Sequence, residues 1–403
     1  MKHKILQFIN KYWVLICLIL IISLAFYVRV DGYRWRYLRN IDSYTFARFM
    51  DEITENGGVL PERDNLVRSP LGMIRAFDIH PYEYFGAYSF MLVKLFAKNI
   101  QMWQFLIYLP AFLAALIAIP MYFIGKTLYD KKAGLLAAFF TVFDVSLISR
   151  TLGGDPDNDA FVLLVPMILM AVFIYSYKYM EKAKKFDKKF FMYTLLLAFL
   201  LSVWSVTWIG YWYVFWLVSG FILLKFILYF IKAKNFKASI IEHRHILASY
   251  AIYVTVAFVF IASVYSVGRV LYTFSGPFEF QNIKGEEKIV YPNVYVSVAE
   301  LQQSGGPREI IARTSVVQGV GILISPFFLL IYCLIYLFYS FLKKKQHIDT
   351  FFLLFIWFTG PFVATTIAVR FSILFTAPMA IGSGIILSKM FRMATGEDKK
   401  IED

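Results

Sequence analysis

Four separated stretches of an otherwise apolar chain carry the residue types from which a metal and phosphate site is built. They are Asp42, the Arg150…Asp157-Asn158-Asp159 cluster, Glu300 and Arg370. Carboxylate oxygens are hard ligands, and Mg²⁺ or Mn²⁺ accepts a few of them while water and substrate phosphates complete the shell. Guanidinium grips phosphate through two parallel N–H bonds, which an ammonium cannot copy. Each stretch alone has a plainer reading. Asp42, ahead of Tyr44–Met50, is a good helix cap. Carboxylates just before Asp159 complement the N-terminus of the helix that follows. Glu300 alone is a surface glutamate, and Arg370 between two apolar runs is a snorkelling anchor.

The second stretch is the sharpest. Asp155, Asp157 and Asp159 place three carboxylates in five residues, while Gly153, Gly154 and Pro156 prevent a continuous helix. Glu300 follows a β-prone stretch and precedes Ser304-Gly305-Gly306-Pro307, a hinge that suits a lid over substrate. Asp144 is placed to support Arg150, and the lone His80 is more often structural than a ligand. No GxSxG, Walker or CxxC pattern occurs, so hydrolase, ATPase and thiol chemistry find no support.

The rest of the chain says what must position these residues. Of 403 residues 59% are apolar and only 17% charged, below the usual quarter, and many apolar runs are long enough to cross a hydrocarbon layer as helices. The formal charge of +14 does not point to nucleic acid, because the lysines sit in short clusters beside the apolar runs. Cys17 and Cys333 both lie within such runs, so no disulfide framework is indicated. The first run is too long for a signal-peptide core and reads as a retained span.

Ten spans are expected, at 12–29, 102–125, 134–149, 160–177, 190–207, 209–231, 247–267, 314–341, 350–368 and 371–391. Trp204, Trp208, Trp212 and Trp216 mark the fifth and sixth as a hairpin whose turn lies at the membrane–water interface. With the N-terminus inside, the clusters around Lys126–Lys132, Lys178–Lys189, Lys232–Arg244 and Lys343–Lys345 all fall inside, and the short outer connections keep only Arg150 and Arg370. Arg34, Arg36 and Arg39 fall outside against that bias, in a long loop where the rule is weak. Residues 84–97 suit a helix lying on the membrane rather than a span. The outer face then receives two long loops, 30–101 and 268–313, and every candidate site residue. Residues 1–403 form one transmembrane unit with no internal repeat.

These strings resemble the catalytic subunit of oligosaccharyltransferases. Asp42-Ser-Tyr is similar to the first-loop aspartate motif, and Arg150-Thr-…-Gly154 with Asp157-Asn-Asp159 to the Asp-x-Asp element with its upstream arginine, which leaves Asp155 as an extra. Ser297-Val-Ala-Glu300 is similar to the Ser-Val-x-Glu motif, and Val369-Arg370-Phe371 to the late arginine that touches lipid-linked phosphate. The resemblance implies an all-α polytopic fold of the multispan glycosyltransferase class. It also implies an inverting enzyme that uses Mn²⁺ or Mg²⁺ to move a glycan from a polyprenyl (dolichyl) phosphate or diphosphate carrier to the asparagine of an Asn-x-Ser/Thr acceptor. By the same resemblance Asp42, Asp157, Asp159 and Glu300 hold the metal, and Asp42 and Glu300 also engage the acceptor amide. Arg150 and Arg370 contact substrate. The expected place is the cell membrane, in preference to the endoplasmic reticulum, with the active face outside.

The chain also departs from the family pattern. No two of its eight tryptophans are adjacent, so the Trp-Trp-Asp motif is missing, and the soluble acceptor-recognition domain is expected to be absent. There are two fewer spans before the Glu300 loop, an even difference that preserves sidedness. Two rival readings stand beside this one. The first is another membrane glycosyltransferase drawing on a polyprenyl-phosphate sugar. The second is a non-enzyme, either a truncated accessory form or a transporter, though a transporter would place its charges near the bilayer midplane.

Overall fold

The computed structural model of the chain describes residues 2–282 apart from 32, 35–36, 68 and 76–80, then 306, 308–309, 311 and 323–397 apart from 368. Its architecture is the expected all-α one. Among the described residues nine helical segments are long and apolar enough to cross a membrane: Gln7–Val30, Met102–Leu128, Asp159–Ala183, Lys188–Thr207, Ile209–Ala233, Arg244–Val264, Pro326–Lys344, Ile348–Thr366 and Phe371–Ala394.

In chain order the helices needed here are α1 (Lys2–Val30), α2 (Ile41–Glu55), α3 (Pro81–Phe96), α4 (Met102–Leu116), α5 (Ala118–Leu128), α6 (Lys131–Val142), α7 (Val145–Ser149), α8 (Asp159–Ala183), α9 (Lys188–Thr207) and α10 (Trp212–Ala233). They continue as α11 (Phe236–Glu242), α12 (Arg244–Val264), α13 (Val267–Asn282), α14 (Pro326–Lys344), α15 (Ile348–Ile367) and α16 (Thr376–Ala394).

The expected span 134–149 is instead α6 and α7, joined at Phe143-Asp144. Asp144 makes the break: its carboxylate accepts from the Ser146 and Leu147 amides and so starts a new helix in the middle of an apolar run. α6 is gripped from both sides through missing side chains. A Cβ on Gly134 would lie 2.5 Å from the Tyr122 carbonyl oxygen of α5, and one on Gly384 of α16 would lie 2.5 Å from that of Ala133. Small residues at such crossings let helix backbones approach closely. The tryptophan hairpin forms as expected, with α9 ending at Thr207 and a short 3₁₀ turn, Ile209–Tyr211, leading into α10. Residues 84–96 fall in α3, which packs Gly86 onto Met50 of α2 and leaves Phe85, Tyr88, Leu92 and Leu95 exposed.

Ion pairs sort the helix ends. Lys178 of α8 and Lys225 of α10 both bind Asp349 at the start of α15, Lys184 meets Glu242, and Asp130 accepts from Ser388 of α16. The lysine-bearing turns therefore gather at one end of the bundle. At the other end Arg29 of α1 reaches Val142 and Thr151, Asp144 accepts from Thr376, and the Tyr211 hydroxyl donates to the Arg269 carbonyl. The long first loop packs on this second end, held by α2, α3 and a two-stranded ribbon pairing Arg63–Asp64 with Met73–Ile74.

Candidate functional site

α2 begins where Asn40 leaves the extended region (φ −120°, ψ 152°), and Asp42 occupies its first turn, where a carboxylate complements the helix dipole. Helical spacing then separates neighbours. Ser43, Ala47 and Met50 share the buried face, while Asp42 next to Ser43 is exposed. Ser43 Oγ donates to Asp155 Oδ1 across 2.9 Å, so the first turn of α2 is fixed against the acidic loop.

That loop, 150–158, is held by its backbone. Gly154 N–H donates to the Ile107 carbonyl over 3.0 Å, and the Gly154 carbonyl accepts from Arg39 N–H over 2.7 Å. Glycine is required at 154: φ is +79°, and a Cβ there would lie 2.3 Å from the Tyr33 ring. The buried Tyr82 hydroxyl of α3 donates to the Pro156 carbonyl at 3.0 Å. Burial, reinforced by the Asp157, Glu83 and Asp155 carboxylates, pushes its ionisation far up, so it stays a donor at any ordinary pH. The chain then enters α8 at Asp159, whose Oδ2 is 3.0 Å from Nη1 of Arg150. Both partners are largely buried, with 19% and 14% of their side chains exposed, so the pair is shielded from bulk water.

The loop brings several carboxylates into one electrostatic neighbourhood. Burial raises the Asp155 carboxyl above its ordinary value, Ser43 opposes this, and Asp159 and Asp42 raise it further while Arg39 lowers it. Asp155 thus lies within the electrostatic reach of both Asp42 and Asp159. Asp157 accepts from the Asn158 amide and lies near enough to Tyr82 to affect it. Among the described residues no three His, Cys, Asp or Glu side chains close into a metal-holding group. The donor set is still all-oxygen and acidic, the chemistry that suits Mg²⁺ or Mn²⁺ once a further donor and substrate oxygens join it. Glu300, the expected further donor, and its glycine hinge lie outside the described residues apart from Gly306. Arg370 sits in the 3₁₀ segment Val369–Phe375, and its side chain is likewise outside the described set.

Phe371, the next residue, connects that segment to the site. With Arg150, Asp159, Val162, Leu163, Trp208, Ile373 and Leu374 it lines a small cleft beside the Arg150–Asp159 pair. Trp208, Phe371 and Leu374 also line a cavity of about 730 Å³ whose other walls include Trp212, Tyr213 and Trp216 of α10 and Phe355 and Ile356 of α15. An acid–arginine pair therefore borders a large aromatic cavity through three shared side chains.

Sequence reasoning missed Asp155 as the contact to α2, Tyr82 as the strut under Pro156, and Trp208 as the wall between cleft and cavity. The adjacency of Ser43 to Asp42 was the one available signal for the first of these. The others depend on contacts between distant segments.

Comparison with known proteins identifies relatives in sequence and in fold. Over 148 residues, 35% of this chain and 15% of the relative, the sequence is 29% identical to a dolichyl-phosphooligosaccharide-protein glycotransferase of Methanocaldococcus jannaschii. The fold matches the Archaeoglobus fulgidus oligosaccharyltransferase AglB in complex with an inhibitory peptide and a dolichol-phosphate, with TM-score 0.68 and 16% identity over 97% of this chain and 52% of that one. An Archaeoglobus fulgidus oligosaccharyltransferase tethered to an acceptor peptide containing the NVT sequon gives TM-score 0.69 at 16% identity over 96% and 50%. Its complex with Zn and sulfate gives 0.63 at 17% identity over 94% and 49%. At these identities the structural likeness is one of fold, and the chain spans about half the length of those solved proteins. The family model described as "Oligosaccharyl transferase STT3, N-terminal" matches residues 12–396, nearly the whole sequence, and the chain belongs to that family.

Proposed function

We propose that this chain carries the catalytic membrane part of a protein N-glycosylating transferase, moving a glycan from a polyprenyl (dolichyl) phosphate or diphosphate to asparagine with inversion at the anomeric carbon. The observation that carries the reading is the junction of the Arg150–Asp159 cleft with the aromatic cavity between α10 and α15. A lipid-linked donor needs that combination: room for an isoprenoid segment beside groups that handle phosphate.

The residues divide the work. Asp159 holds the Arg150 guanidinium in the wall of the cleft, where it would meet a phosphate or an acceptor carbonyl. Arg370, one residue from the cleft wall, would neutralise the departing phosphate. Asp42, Asp157, Asp159 and Glu300 would hold Mn²⁺ or Mg²⁺, which when bound would stabilise negative charge on the leaving group. The acceptor nitrogen is a poor nucleophile because its lone pair is conjugated, and full rotation about an amide costs roughly 18–20 kcal/mol. Asp42, exposed in the first turn of α2, and Glu300 would accept its N–H groups and offset part of that cost by favouring a twisted amide. By the charge pattern, the reaction takes place on the extracytoplasmic face of the cell membrane.

The test is incubation of the purified chain with a polyprenyl-diphosphate glycan and an Asn-x-Thr peptide, with and without Mn²⁺. Glycopeptide that forms with the metal and disappears on EDTA treatment supports the reading. Metal-independent transfer to a hydroxyl from a monophosphate donor would replace it with the other membrane glycosyltransferase class. Tight donor binding without any transfer would point to an accessory form.

A further inference from the structure

Arg29 stands at the outer-loop end of α1, in its last turn, and is only 2% exposed. Its guanidinium is shared among three segments. Nε donates to Thr151 Oγ1 at 2.8 Å, Nη2 to the Val142 carbonyl at 2.8 Å, and Nη1 to Ala25 within its own helix at 3.0 Å. The Val142 carbonyl is one of those left over at the end of α6, where the chain breaks before Asp144. The Arg29 backbone takes part as well: its carbonyl accepts from Gly153 N–H at 2.8 Å. A Cβ on Gly153 would lie 3.1 Å from that same oxygen, so the acidic loop lies directly on the α1 backbone.

Burying a cation with no carboxylate in hydrogen-bond range among the described residues is costly, and an apolar side chain would anchor a helix end more cheaply. What guanidinium supplies and an apolar group cannot is a rigid planar fork that fixes several acceptors at set angles. Here those acceptors are the end of α6 and Thr151, which is itself fully buried and donates to Leu147 at 2.6 Å. Residues 151 and 153 are therefore both clamped to α1, two to six residues ahead of Asp155 and Asp157.

We infer that Arg29 is a positioning residue: it sets the angle at which Asp157 and Asp159 meet the divalent cation, an inference that rests on the metal site of the proposed function. Residues that orient metal ligands from behind typically change metal affinity by about 10- to 100-fold when removed.

The test measures Mn²⁺ binding by electron paramagnetic resonance on the full chain in lipid nanodiscs, which needs neither donor nor acceptor. Arg29→Met is expected to weaken Mn²⁺ affinity by about 10- to 100-fold. Thr151→Val is expected to act in the same direction, while Thr151→Ser, which keeps the hydroxyl, binds as the wild type does. Should Arg29→Met fail to fold, the Thr151 pair decides. Wild-type Mn²⁺ affinity in the folded Arg29→Met or Thr151→Val protein overturns the inference, as does an equal loss in Thr151→Ser. Asp157→Asn separates this from failure of the underlying reading. If the wild type binds no Mn²⁺, or if Asp157→Asn binds it equally well, the metal site itself is refuted and the role of Arg29 with it.

Discussion

Ser43 and Asp155, 112 positions apart in the chain, are joined by a 2.9 Å hydrogen bond that fixes the first turn of α2 against the acidic loop. Asp42 is exposed one residue from this joint, and Asp157 lies two residues from its other side. The bond therefore controls how far apart those two carboxylates stand. Ser43 is wholly buried, so its hydroxyl has no water to turn to if Asp155 is lost.

Ser43→Ala removes the joint while adding almost no volume change. Leaving Asp155 half-paired costs about 1–3 kcal/mol locally, which α2 can relieve by shifting its first turn. Glycopeptide formation should fall about 10-fold or more, with the fall in kcat rather than in the KM for donor. Asp155→Asn, which can still accept from the serine, should fall less. Equal rates in Ser43→Ala and wild type would show that the joint does not set the carboxylate spacing.

Trp208 tests the other border of the site. It separates the Arg150–Asp159 cleft from the large cavity and packs on Trp204, with ring centroids 5.6 Å apart. Trp208→Ala merges cleft and cavity and removes aromatic surface that an isoprenoid chain would cover. The KM for a lipid-linked donor should rise about 10-fold or more, since an aromatic side chain contributes on the order of 2 kcal/mol when covered. The KM for the acceptor peptide should stay as it was. A change in acceptor KM alone would assign the cavity to the peptide instead.

Much of this arrangement was legible in the sequence because it follows from solvent and spacing. The lysine-bearing turns are expected at one end, and the contacts of Lys178 with Asp349, Lys184 with Glu242 and Asp130 with Ser388 gather them there. The tryptophan turn at Trp208 was read from side chains that favour an interface. The break after α6 was not legible. Val145–Ile148 continues the apolar run, and only the capping of Ser146 and Leu147 by Asp144, steadied by Thr376 from 232 positions away, ends the helix. The motif spacing selects Asp157 and Asp159 over Asp155, and periodicity carries no information about which loop residue α2 will meet.

Asp349 is the hub of the opposite end. Lys178 Nζ lies 2.8 Å from one of its oxygens, Lys225 Nζ contacts the other, and the Lys225 and Asp349 side chains are only 6% and 12% exposed. Removing Asp349 leaves the buried Lys225 ammonium with the Glu181 carboxylate 3.7 Å away as its remaining counter-charge, so the cost falls below the roughly 3–5 kcal/mol of a fully stranded charge. Asp349→Ala should therefore lower the midpoint of thermal unfolding in detergent markedly. Adding Lys225→Met should recover most of the loss, because the stranded cation is then gone. A double variant no more stable than Asp349→Ala would show that the aspartate acts through something other than charge pairing.

Asp64 gives a pH test confined to the first loop. Its buried carboxylate takes two hydrogen bonds from Arg48 and one from Arg75, with further bonds from the Leu66 and Val67 amides. The Arg48 hydrogen bond is the largest influence on its ionisation, burial opposes it, and the net result holds Asp64 far below the ordinary carboxylate value of 3.8. A folded-state value below the unfolded one means that the stabilisation is present above 3.8 and is lost progressively as pH falls from there through the depressed folded value. Hydrogen exchange at residues 60–75 of the wild type should therefore show protection that does not change between pH 7 and about pH 4. In Asp64→Asn the two arginines face an acceptor without charge, and the same amides should exchange about 10-fold faster or more across that whole range. Equal protection of these amides in the wild type and in Asp64→Asn across the same range would remove Asp64 as the anchor of this loop.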